Sequence, residues 1–442
     1  MYKAIVTRLK NVRPHSNADK VQLATCHGNQ VVIGLDHKED ELGVYFPSDG
    51  QLSHEFCRAN NLYRDSLLNA RPDDKPGMFD ENRRVRAQKF RKEISDGFWV
   101  PLDNFGFIQV SGLDVEGFEF DEWKGVPICS KYINLATARA ARENQGKKAK
   151  KAKSSIMFKE HFDTSHFGRC LHEFQKGQLI IITEKVHGTS GRIGNVLVDR
   201  NLTFSEKIAK FFGVKVQESE WKYLNGTRRV VIEESSGTQF HDPTIREKAF
   251  KMFNDNLRKG ETVFFEIVGF ESTGATIMPS VDTSALNDKK FTATYGEKMT
   301  YSYGCSSTES AVYVYRMTLT TEDGHSVDYA WDDVVRRCNE IGVKHVPYIR
   351  TMMFDELSAF NSGDIDDRDT REAFSKIVEN YASGPSILDS KHIKEGVCVR
   401  IEGGLINKTY KFKSFEFKLL EGIVKDKGIV DQEEVQSEIV QE

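Results

Sequence analysis

The most informative stretch of this chain is GQLIIITEKVHGTSGRIG, residues 177–194. Four consecutive aliphatic residues, Leu179 to Ile182, predict a buried β-strand. The strand leads into Thr183-Glu184-Lys185, and glycines follow at positions 188, 191 and 194. A lysine at the end of a buried strand, beside a glycine-rich turn, is well placed to meet a bound ligand.

Lys185 is therefore a candidate nucleophile. An amine attacks only when neutral, and the free lysine pKa of about 10.4 leaves little neutral amine at pH 7. Desolvation, a second cation or a nearby metal would lower that pKa. An ordinary surface lysine at a strand end is the competing explanation. The glycines spell G-x-x-G-x-x-G, which matches neither the dinucleotide-binding nor the P-loop spacing.

The segment from Lys185 to Ser190, KVHGTS, resembles motif I of the covalent nucleotidyltransferases: ATP-dependent DNA ligases, RNA ligases and mRNA capping enzymes. In that family the lysine attacks the α-phosphate of a nucleoside triphosphate and forms a lysyl-nucleotide. Histidine two residues after the lysine is more characteristic of RNA ligases. The resemblance implies that Lys185 is the catalytic nucleophile and that Glu184, His187 and Gly188 bind the nucleotide. A turn-stabilising role is the alternative for His187.

Five further segments resemble the remaining family motifs and occur in the family's order, within a resemblance that spans about 155–420. They are Thr227-Arg228-Arg229, Phe264 to Gly269, Tyr313 to Arg316, Glu395 to Val397, and Lys411 to Lys413. The resemblance implies nucleotide-binding roles for Arg228, Glu266, Tyr315, Lys411 and Lys413, and metal binding by Glu395 and Glu266.

Strand geometry supports part of this assignment. Residues two apart on a strand face the same side, so we expect Lys411 and Lys413 in one cleft and Phe412 in a core. Lysines extending from a half-exposed edge strand are the alternative. Glu266 lies within an apolar run and needs a cation or a hydroxyl group of a ligand as partner. Tyr315 could equally be a core aromatic residue.

Residues 1–135 predict a small barrel of short strands. Segments such as GFWVPL at 97–102 are rich in β-branched and aromatic residues, and turn-forming residues separate them. An OB-like fold that binds nucleic acid is a natural candidate. The segment RRVRAQKFRK, residues 83–92, holds six basic residues and no acid. We expect it to contact a phosphate backbone through Arg83, Arg84, Arg86, Lys89, Arg91 and Lys92.

The predicted fold class is α+β. An OB-like β-barrel at 1–135 is followed by a basic linker or solvated helix at 136–154. A nucleotidyltransferase (ATP-grasp-like ligase) domain of antiparallel sheets and helices is expected at 155–425, because strand-like and helical patterns mix there. The remaining 426–442 form a polar acidic tail.

An OB-like domain placed before the nucleotidyltransferase domain resembles the Deinococcus-type RNA ligases, a nick-sealing family. The matching stretches include RPHSNAD near the start, FDENRRVRAQKFRKEISDGFWVPL at 79–102 and HFDTSHF at 161–167. The insertions at 271–310 and 350–390 contain no motif that we can interpret. They affect the expected outline of the cleft rather than its chemistry.

We therefore expect an ATP-dependent RNA ligase that joins 3′-hydroxyl and 5′-phosphate ends through lysyl-AMP. Its cofactors would be ATP and a divalent metal, Mg²⁺ or Mn²⁺. Its partner would be nucleic acid, either a nicked duplex or broken RNA ends. The alternatives are a capping-like or DNA-ligase-like nucleotidyltransferase and a non-catalytic nucleic-acid-binding protein with an OB domain.

The composition bounds these expectations. Hydrophobic residues make up 39% of the 442 residues and charged residues 29%, which excludes wholesale disorder. No apolar run approaches the roughly 18 residues of a membrane span, and the start lacks a secretory pattern. Seven cysteines without a Cys-x-x-Cys pair argue against a disulfide framework and a structural zinc site. We expect a cytoplasmic monomer.

Overall fold

The structure is a computed structural model, and it describes residues 2–145, 155–162, 164–228, 230–232, 243–354 and 367–430. The chain divides into two compact units. The first comprises Met1–Asn134 and Lys418–Gly428, and the second comprises Leu135–Phe417 and Ile429–Glu442. Residues 146–154 of the predicted basic linker and residues 431–442 of the predicted acidic tail lie outside the described residues. Within the described part of the chain, no helix has the length and apolar character that crossing a membrane requires.

Short strands dominate the first unit, where thirteen strands and one helix lie in the described residues 2–134. The strands β1 to β13 span Ala4–Arg8, Lys10–Pro14, Val21–Cys26, Asn29–Gly34, Leu42–Phe46, Gly50–Leu52, Ala87–Phe90, Glu93–Asp96, Phe98–Pro101, Glu119–Phe120, Glu122–Trp123, Val126–Pro127 and Cys129–Lys131. The helix α1 spans His54–Ala59.

The strands β1 and β5 lie between two apolar clusters of the first unit. They pair antiparallel within the four-stranded sheet β10-β1-β5-β9. Ala4 and Val6 pack in one cluster, whereas Ile5 and Tyr45 pack in the other, with Val31 from β4. Because both faces of the sheet are covered, these strands read as continuous apolar runs rather than as alternating ones. The strands β2, β3 and β4 form a second antiparallel sheet, and β7 and β8 form a hairpin.

The second unit mixes helices and longer strands. Its helices α2 to α8 span Leu135–Gln145, Phe204–Phe211, Pro243–Lys251, Lys289–Tyr295, Trp331–Ile341, Asp367–Ala382 and Phe415–Asp426. Its strands β14 to β27 span Ser165–His166, Leu179–Lys185, Thr189–Asp199, Ser219–Gly226, Val231–Ile232, Glu261–Gly269, Val281–Asp282, Lys298–Met299, Ser310–Thr320, Ser326–Asp328, Lys344–His345, Tyr348–Met353, Gly396–Ile401 and Lys408–Lys413.

Two sheets carry the second unit. One has the strand order β14-β27-β26-β15-β25, and the other has the order β18-β17-β16-β19-β22-β23, with β24 pairing with β22. Behind the first sheet, α7 contributes to an apolar cluster that includes Ile180, Ile182, Val397 and Val399. These four residues alternate along β15 and β26, so the residues between them face away from the cluster.

The last helix, α8, runs from the second unit into the first. Its residues from Lys418 onward belong to the first unit, where Lys425 Nζ lies 2.6 Å from a carboxylate oxygen of Asp49. In the same unit, Arg84 Nη1 lies 2.9 Å from Asp426 Oδ1. The first unit is therefore completed by a segment that lies more than 280 residues further along the chain.

Candidate active site

The predicted nucleophile and the predicted metal ligand form one ion pair. The Nζ atom of Lys185 donates to Oε2 of Glu395 at 2.6 Å. The Glu395 side chain is 4% exposed and the Lys185 side chain is 26% exposed. Two more groups approach the same carboxylate, Lys413 Nζ at 3.5 Å and His187 Nδ1 at 3.6 Å. The structure thus brings together residues from motifs I, IV and V.

The register of the first sheet explains this convergence. Lys185 pairs with Gly396 on β26, and Gly396 pairs with Lys413 on β27. Thr183, Cys398 and Lys411 form the next row of the sheet on the same face. The sheet therefore presents a face of lysines, and the expected orientation of Lys411 and Lys413 is the one found. Phe412, between them, packs against the apolar cluster behind the sheet, as expected.

Glycine is required where β26 begins and where motif I turns. A Cβ atom on Gly396 would lie 1.9 Å from the carbonyl oxygen of Phe412. A Cβ atom on Gly188 would lie 2.3 Å from the carbonyl oxygen of Ile267. The first approach packs β26 tightly against β27, and the second holds the turn after Lys185 against β19, beside Glu266.

The ion pair sets the charge of Lys185. Burial, the largest single effect, lowers the pKa of Lys185, but Glu395 together with Cys398 and Glu266 outweighs it, and the pKa is raised. Burial alone would raise the pKa of Glu395, but Lys185 and Lys413 hold that pKa well below its usual range. The amine is therefore charged in the free protein, in contrast to the lowered pKa that the sequence led us to expect. The physical reason is the partner carboxylate, whose distance no local pattern reveals.

Lys411 has the opposite environment. Burial, followed by the charges of Lys413, Lys185 and Arg228, lowers the pKa of Lys411 to about 8. No carboxylate of the described residues lies within ion-pair distance of its amine. Several cations thus lie close together, and Glu395 is the acid near them. This excess of positive charge favours binding of a polyanion in the cleft.

Glu184 lies on the other face of β15. Its carboxylate accepts hydrogen bonds from Ser386 Oγ at 2.5 Å and from the Ile387 N–H at 2.8 Å. Burial raises the pKa of Glu184, although both hydrogen bonds act against that shift. In the structure this side chain fixes the 386–387 segment, and its predicted contact with a nucleotide stays a prediction.

Glu266 comes from the second sheet. Ser190 Oγ donates to its Oε2 at 3.1 Å, and the two residues pair across β16 and β19. This hydroxyl belongs to the chain, so the ligand hydroxyl expected for Glu266 stays a prediction. The negative charge of Glu266 also acts on Lys185, which places both residues beside the same cleft.

Tyr315 and Arg228 lie around His161, to which the sequence assigned no role. The ring of Tyr315 meets that of His161 edge-on at 5.2 Å, and Arg228 Nη2 lies 3.4 Å from the Phe162 carbonyl oxygen. Burial and the charges of Arg316 and Arg228 hold the pKa of His161 well below its usual range, so the imidazole is neutral. His161 lies in the HFDTSHF stretch, whose resemblance was the available signal. Arg229 lies outside the described residues.

The first insertion, 271–310, supplies two tyrosines that sequence reasoning missed. The Tyr303 hydroxyl accepts a hydrogen bond from the His187 N–H at 2.7 Å. The ring of Tyr301 meets the His187 ring edge-on at 4.8 Å. Neither residue belongs to a motif, so no signal in one sequence could identify them. Part of the second insertion, 355–366, lies outside the described residues.

Among the described residues, a metal ion would find too few ligands to be held without others from outside the protein. No group of three or more His, Cys, Asp or Glu side chains in the described residues could hold one. Mg²⁺ commonly binds one or two carboxylates and takes its other ligands from water and substrate phosphates. Glu395 offers one buried carboxylate beside cations suited to phosphate, so the residues fit a metal that binds together with a nucleotide.

The six predicted nucleic-acid-binding residues of the first unit differ in accessibility. Lys89, Arg91 and Lys92 are exposed, and the last two lie at the tip of the β7–β8 hairpin. Arg83 and Arg86 are half-buried. The Arg84 side chain is only 4% exposed and pairs with Asp426, which leaves little of it for a nucleic acid.

Comparisons with known proteins agree with this architecture. A family model described as RNA ligase matches residues 178–419, which is more than half of the chain. A model of an OB-fold domain matches residues 3–102. The predicted fold class, an N-terminal OB fold followed by a mixed sheet and helix domain, is therefore confirmed. No curated protein matches the chain in sequence.

Solved structures of a Naegleria gruberi RNA ligase have a similar fold. A variant of it with ATP and Mn has a TM-score of 0.55 and 14% identity, covering 94% of this chain and 98% of that chain. Another variant with AMP and Mn has a TM-score of 0.56 and 15% identity, covering 94% and 97%. A third, with ATP and Mn, has a TM-score of 0.54 and 17% identity, covering 96% and 99%. At these identities the likeness concerns the fold.

Proposed function

This chain belongs to the RNA ligase family, and from that premise we propose that it is an ATP-dependent RNA ligase with a lysyl-AMP intermediate on Lys185. The proposal rests on the arrangement of four side chains on one sheet. The Lys185 amine pairs with Glu395 at 2.6 Å on a sheet face that also presents Lys411 and Lys413. A nucleophile, an acid and two phosphate-binding cations on one surface are what nucleotidyl transfer from a triphosphate requires.

In the first step, Nζ of Lys185 attacks the α-phosphorus of ATP. A nitrogen–phosphorus bond forms, the bond from the α-phosphorus to the bridging oxygen breaks, and pyrophosphate leaves. Nζ must first give up a proton, and Oε2 of Glu395 already accepts a hydrogen bond from it. A bound Mg²⁺ or Mn²⁺ would supply positive charge to the phosphates and compete with Lys185 for Glu395.

Lys411 and Lys413 stabilise the negative charge that develops on the phosphates. Their amines lie on the nucleophile's face of the sheet, and Lys411 lacks a carboxylate within ion-pair distance among the described residues. An incoming phosphate would pair with charges that repel one another in the free protein. Such preorganised cations stabilise a transition state without the cost of reorganising water.

Contacts to the nucleoside are proposed for residues on both sheets. Glu266, held by Ser190, suits a ribose hydroxyl group. Tyr315 offers an aromatic ring close to the neutral His161. Arg228 lies near enough to Lys411 and His161 for its charge to act on both, which suits a phosphate on the nucleotide or on the acceptor end.

Two further steps complete ligation. AMP moves from Lys185 to the 5′-phosphate of a nucleic acid, and a 3′-hydroxyl then attacks that phosphate and releases AMP. We propose a nick in a duplex as the substrate, of the kind sealed by Deinococcus-type RNA ligases. The OB fold of the first unit and the exposed Lys89, Arg91 and Lys92 support binding to a phosphate backbone.

An end-joining assay tests this function. Purified protein is incubated with ATP and Mg²⁺ or Mn²⁺ on nicked duplexes that carry RNA or DNA on each side of the nick, and on unpaired RNA ends. Sealing of a nick flanked by RNA supports the proposal. Failure to join any RNA 3′-hydroxyl to a 5′-phosphate, with either metal, contradicts it. A covalent adduct with GTP in place of ATP would favour a capping-like enzyme.

A further inference from the structure

Tyr303 links the two segments that carry the partners of the Lys185–Glu395 ion pair. It is 3% exposed, and its backbone has a φ of 51°, in the left-handed region. A bulky residue rarely adopts that conformation, which persists only where its surroundings enforce it. Such strain occurs preferentially at binding and catalytic sites.

The surroundings that enforce it come from the segment before Glu395. The Tyr303 N–H donates to Nε2 of His392 at 3.2 Å, and the two rings lie 4.4 Å apart. On either side of Tyr303, Ser302 Oγ and the Gly304 N–H both donate to Oδ2 of Asp389. The backbone at Tyr303 is thus tied to residues 389–392, three residues before the carboxylate partner of Lys185.

The hydroxyl group of Tyr303 contacts the segment that carries Lys185. It accepts the His187 N–H at 2.7 Å, two residues after Lys185. Gly188, which follows, fits tightly against the Ile267 carbonyl oxygen. The turn after the nucleophile is therefore held on one side by β19 and on the other by one phenol oxygen.

A second link between the same segments runs on the opposite face of β15. The Glu184 carboxylate accepts hydrogen bonds from Ser386 and Ile387. Two residues near Lys185 are therefore tied to the 386–395 segment. Glu184 bonds to it directly, through Ser386 and Ile387. His187 is tied to it through Tyr303, which bonds to His392. Tyr303 is the residue through which the 271–310 insertion contacts the turn after Lys185.

We infer that Tyr303 is a positioning residue for the first step of ligation, holding the turn at His187 so that the Lys185 amine meets the α-phosphate of the bound nucleotide. The inference rests on the proposed function. It assigns a role to the 271–310 insertion. Residues 389–392, shortly before Glu395, hold the strained backbone of Tyr303, and the Tyr303 hydroxyl holds the turn after Lys185. A displacement of about 1 Å of a reacting group can reduce a rate about 100-fold.

The decisive variant is Tyr303→Phe. It removes only the oxygen and retains the ring that packs against His392, so the fold is preserved. The matched control is Tyr295→Phe, which removes the same atom from a half-buried tyrosine of the same insertion that packs on Phe291. For both variants we would measure single-turnover formation of protein–AMP, the half-saturating ATP concentration, thermal unfolding, and sealing of a nick whose 5′ end is already adenylylated.

We expect Tyr303→Phe to change the rate of protein–AMP formation and to leave the other measurements unchanged. Tyr303→Phe should form protein–AMP at least about 10-fold more slowly at saturating ATP, with the half-saturating ATP concentration and the sealing of pre-adenylylated ends within about two-fold of wild type. Tyr295→Phe should match wild type throughout. Equal rates for Tyr303→Phe and wild type would overturn the inference. Parallel decreases in both steps, with a lower melting temperature, would overturn it too, because they indicate general support of the fold. Wild type that forms no adduct with ATP would instead contradict the proposed function, on which the inference depends.

Discussion

The amine of Lys185 and the carboxylate of Glu395 are joined by a 2.6 Å hydrogen bond, although 210 residues separate them in the chain. The antiparallel register of β15 with β26 brings them together, with Lys185 opposite Gly396. The pair keeps the amine charged in the free protein, because Glu395 raises the pKa of Lys185. Removal of either partner should therefore affect both the charge balance and the chemistry of the cleft.

Replacement of Glu395 with glutamine should greatly slow protein–AMP formation. The amide keeps the shape of the side chain but can neither accept a proton from Lys185 nor neutralise the cleft cations. Removing one electrostatic group from an active site typically costs about 100-fold in rate. The rate of adduct formation with α-labelled ATP measures the effect.

The matched control is Glu173→Gln, which removes a carboxylate that pairs with Lys408 in the same unit. It should label at the wild-type rate, since a partly exposed pair contributes little. If Glu395→Gln labels as fast as this control, Glu395 has no part in the first step.

Lys411→Met should make the free protein more stable and a poorer enzyme. Burial and neighbouring cations lower the pKa of Lys411 to about 8, against about 10.4 in an unfolded chain. Below pH 8 the folded protein holds a charge that its surroundings disfavour, so removing the amine should raise the free energy of unfolding. Between about pH 8 and 10.4 the unfolded state binds more protons, wild-type stability rises, and the gain of the variant should disappear.

Chemical denaturation of Lys411→Met and wild type at pH 7 and at pH 10 would measure this difference, and labelling with ATP at pH 7 would measure activity. We expect a gain in stability at pH 7 that vanishes by pH 10, together with labelling that is slower by about 10-fold. A variant that is less stable than wild type at pH 7 would show that Lys411 is not an isolated cation.

Lys425→Ala should destabilise the first unit. The Lys425 side chain is 3% exposed, and its amine lies 2.6 Å from Asp49 and 3.8 Å from Glu421. Breaking a buried pair by removing one partner costs about 3–5 kcal/mol, and the partly exposed Asp49 places this pair near the lower figure. Denaturant unfolding should show the decrease. Lys20→Ala replaces an exposed lysine of the same unit, should leave stability unchanged and serves as the control.

Arg91→Ala combined with Lys92→Ala should weaken binding to nicked RNA without slowing protein–AMP formation. Both side chains are exposed at the tip of a hairpin in the first unit. Removing two cations that each bind a phosphate should reduce the slope of log affinity against log salt by about 2. Titration of a labelled nicked duplex at several salt concentrations measures that slope. An unchanged slope would exclude this hairpin from the interface.

Local patterns in the sequence were enough for much of the fold and site. Alternation along β27 predicted that Lys411 and Lys413 share a face and that Phe412 turns to the core. The aliphatic run before Lys185 predicted β15. The order of the motifs predicted that Glu395 and Lys413 would lie close to Lys185, although their roles stay predictions.

Features set by distant pairs were not predictable in this way. The basic run at 83–92 predicts a uniformly exposed surface. Arg84 is nevertheless buried, because it forms an ion pair with Asp426, which lies more than 300 residues later in the chain. The raised pKa of Lys185 depends on its distance from Glu395, which composition does not encode. Tyr303 acts through one hydroxyl and a left-handed backbone, and neither leaves a motif in a single sequence.

Locating the adenylate on the protein would show whether Lys185 is the nucleophile. Wild type and Lys185→Ala are incubated with α-labelled ATP and a divalent metal, digested, and the peptides analysed by mass spectrometry. If Lys185 is the nucleophile, wild type should carry AMP on the Lys185 amine and the variant should carry no adduct. An adduct on another residue, or labelling of Lys185→Ala at the wild-type level, would contradict it.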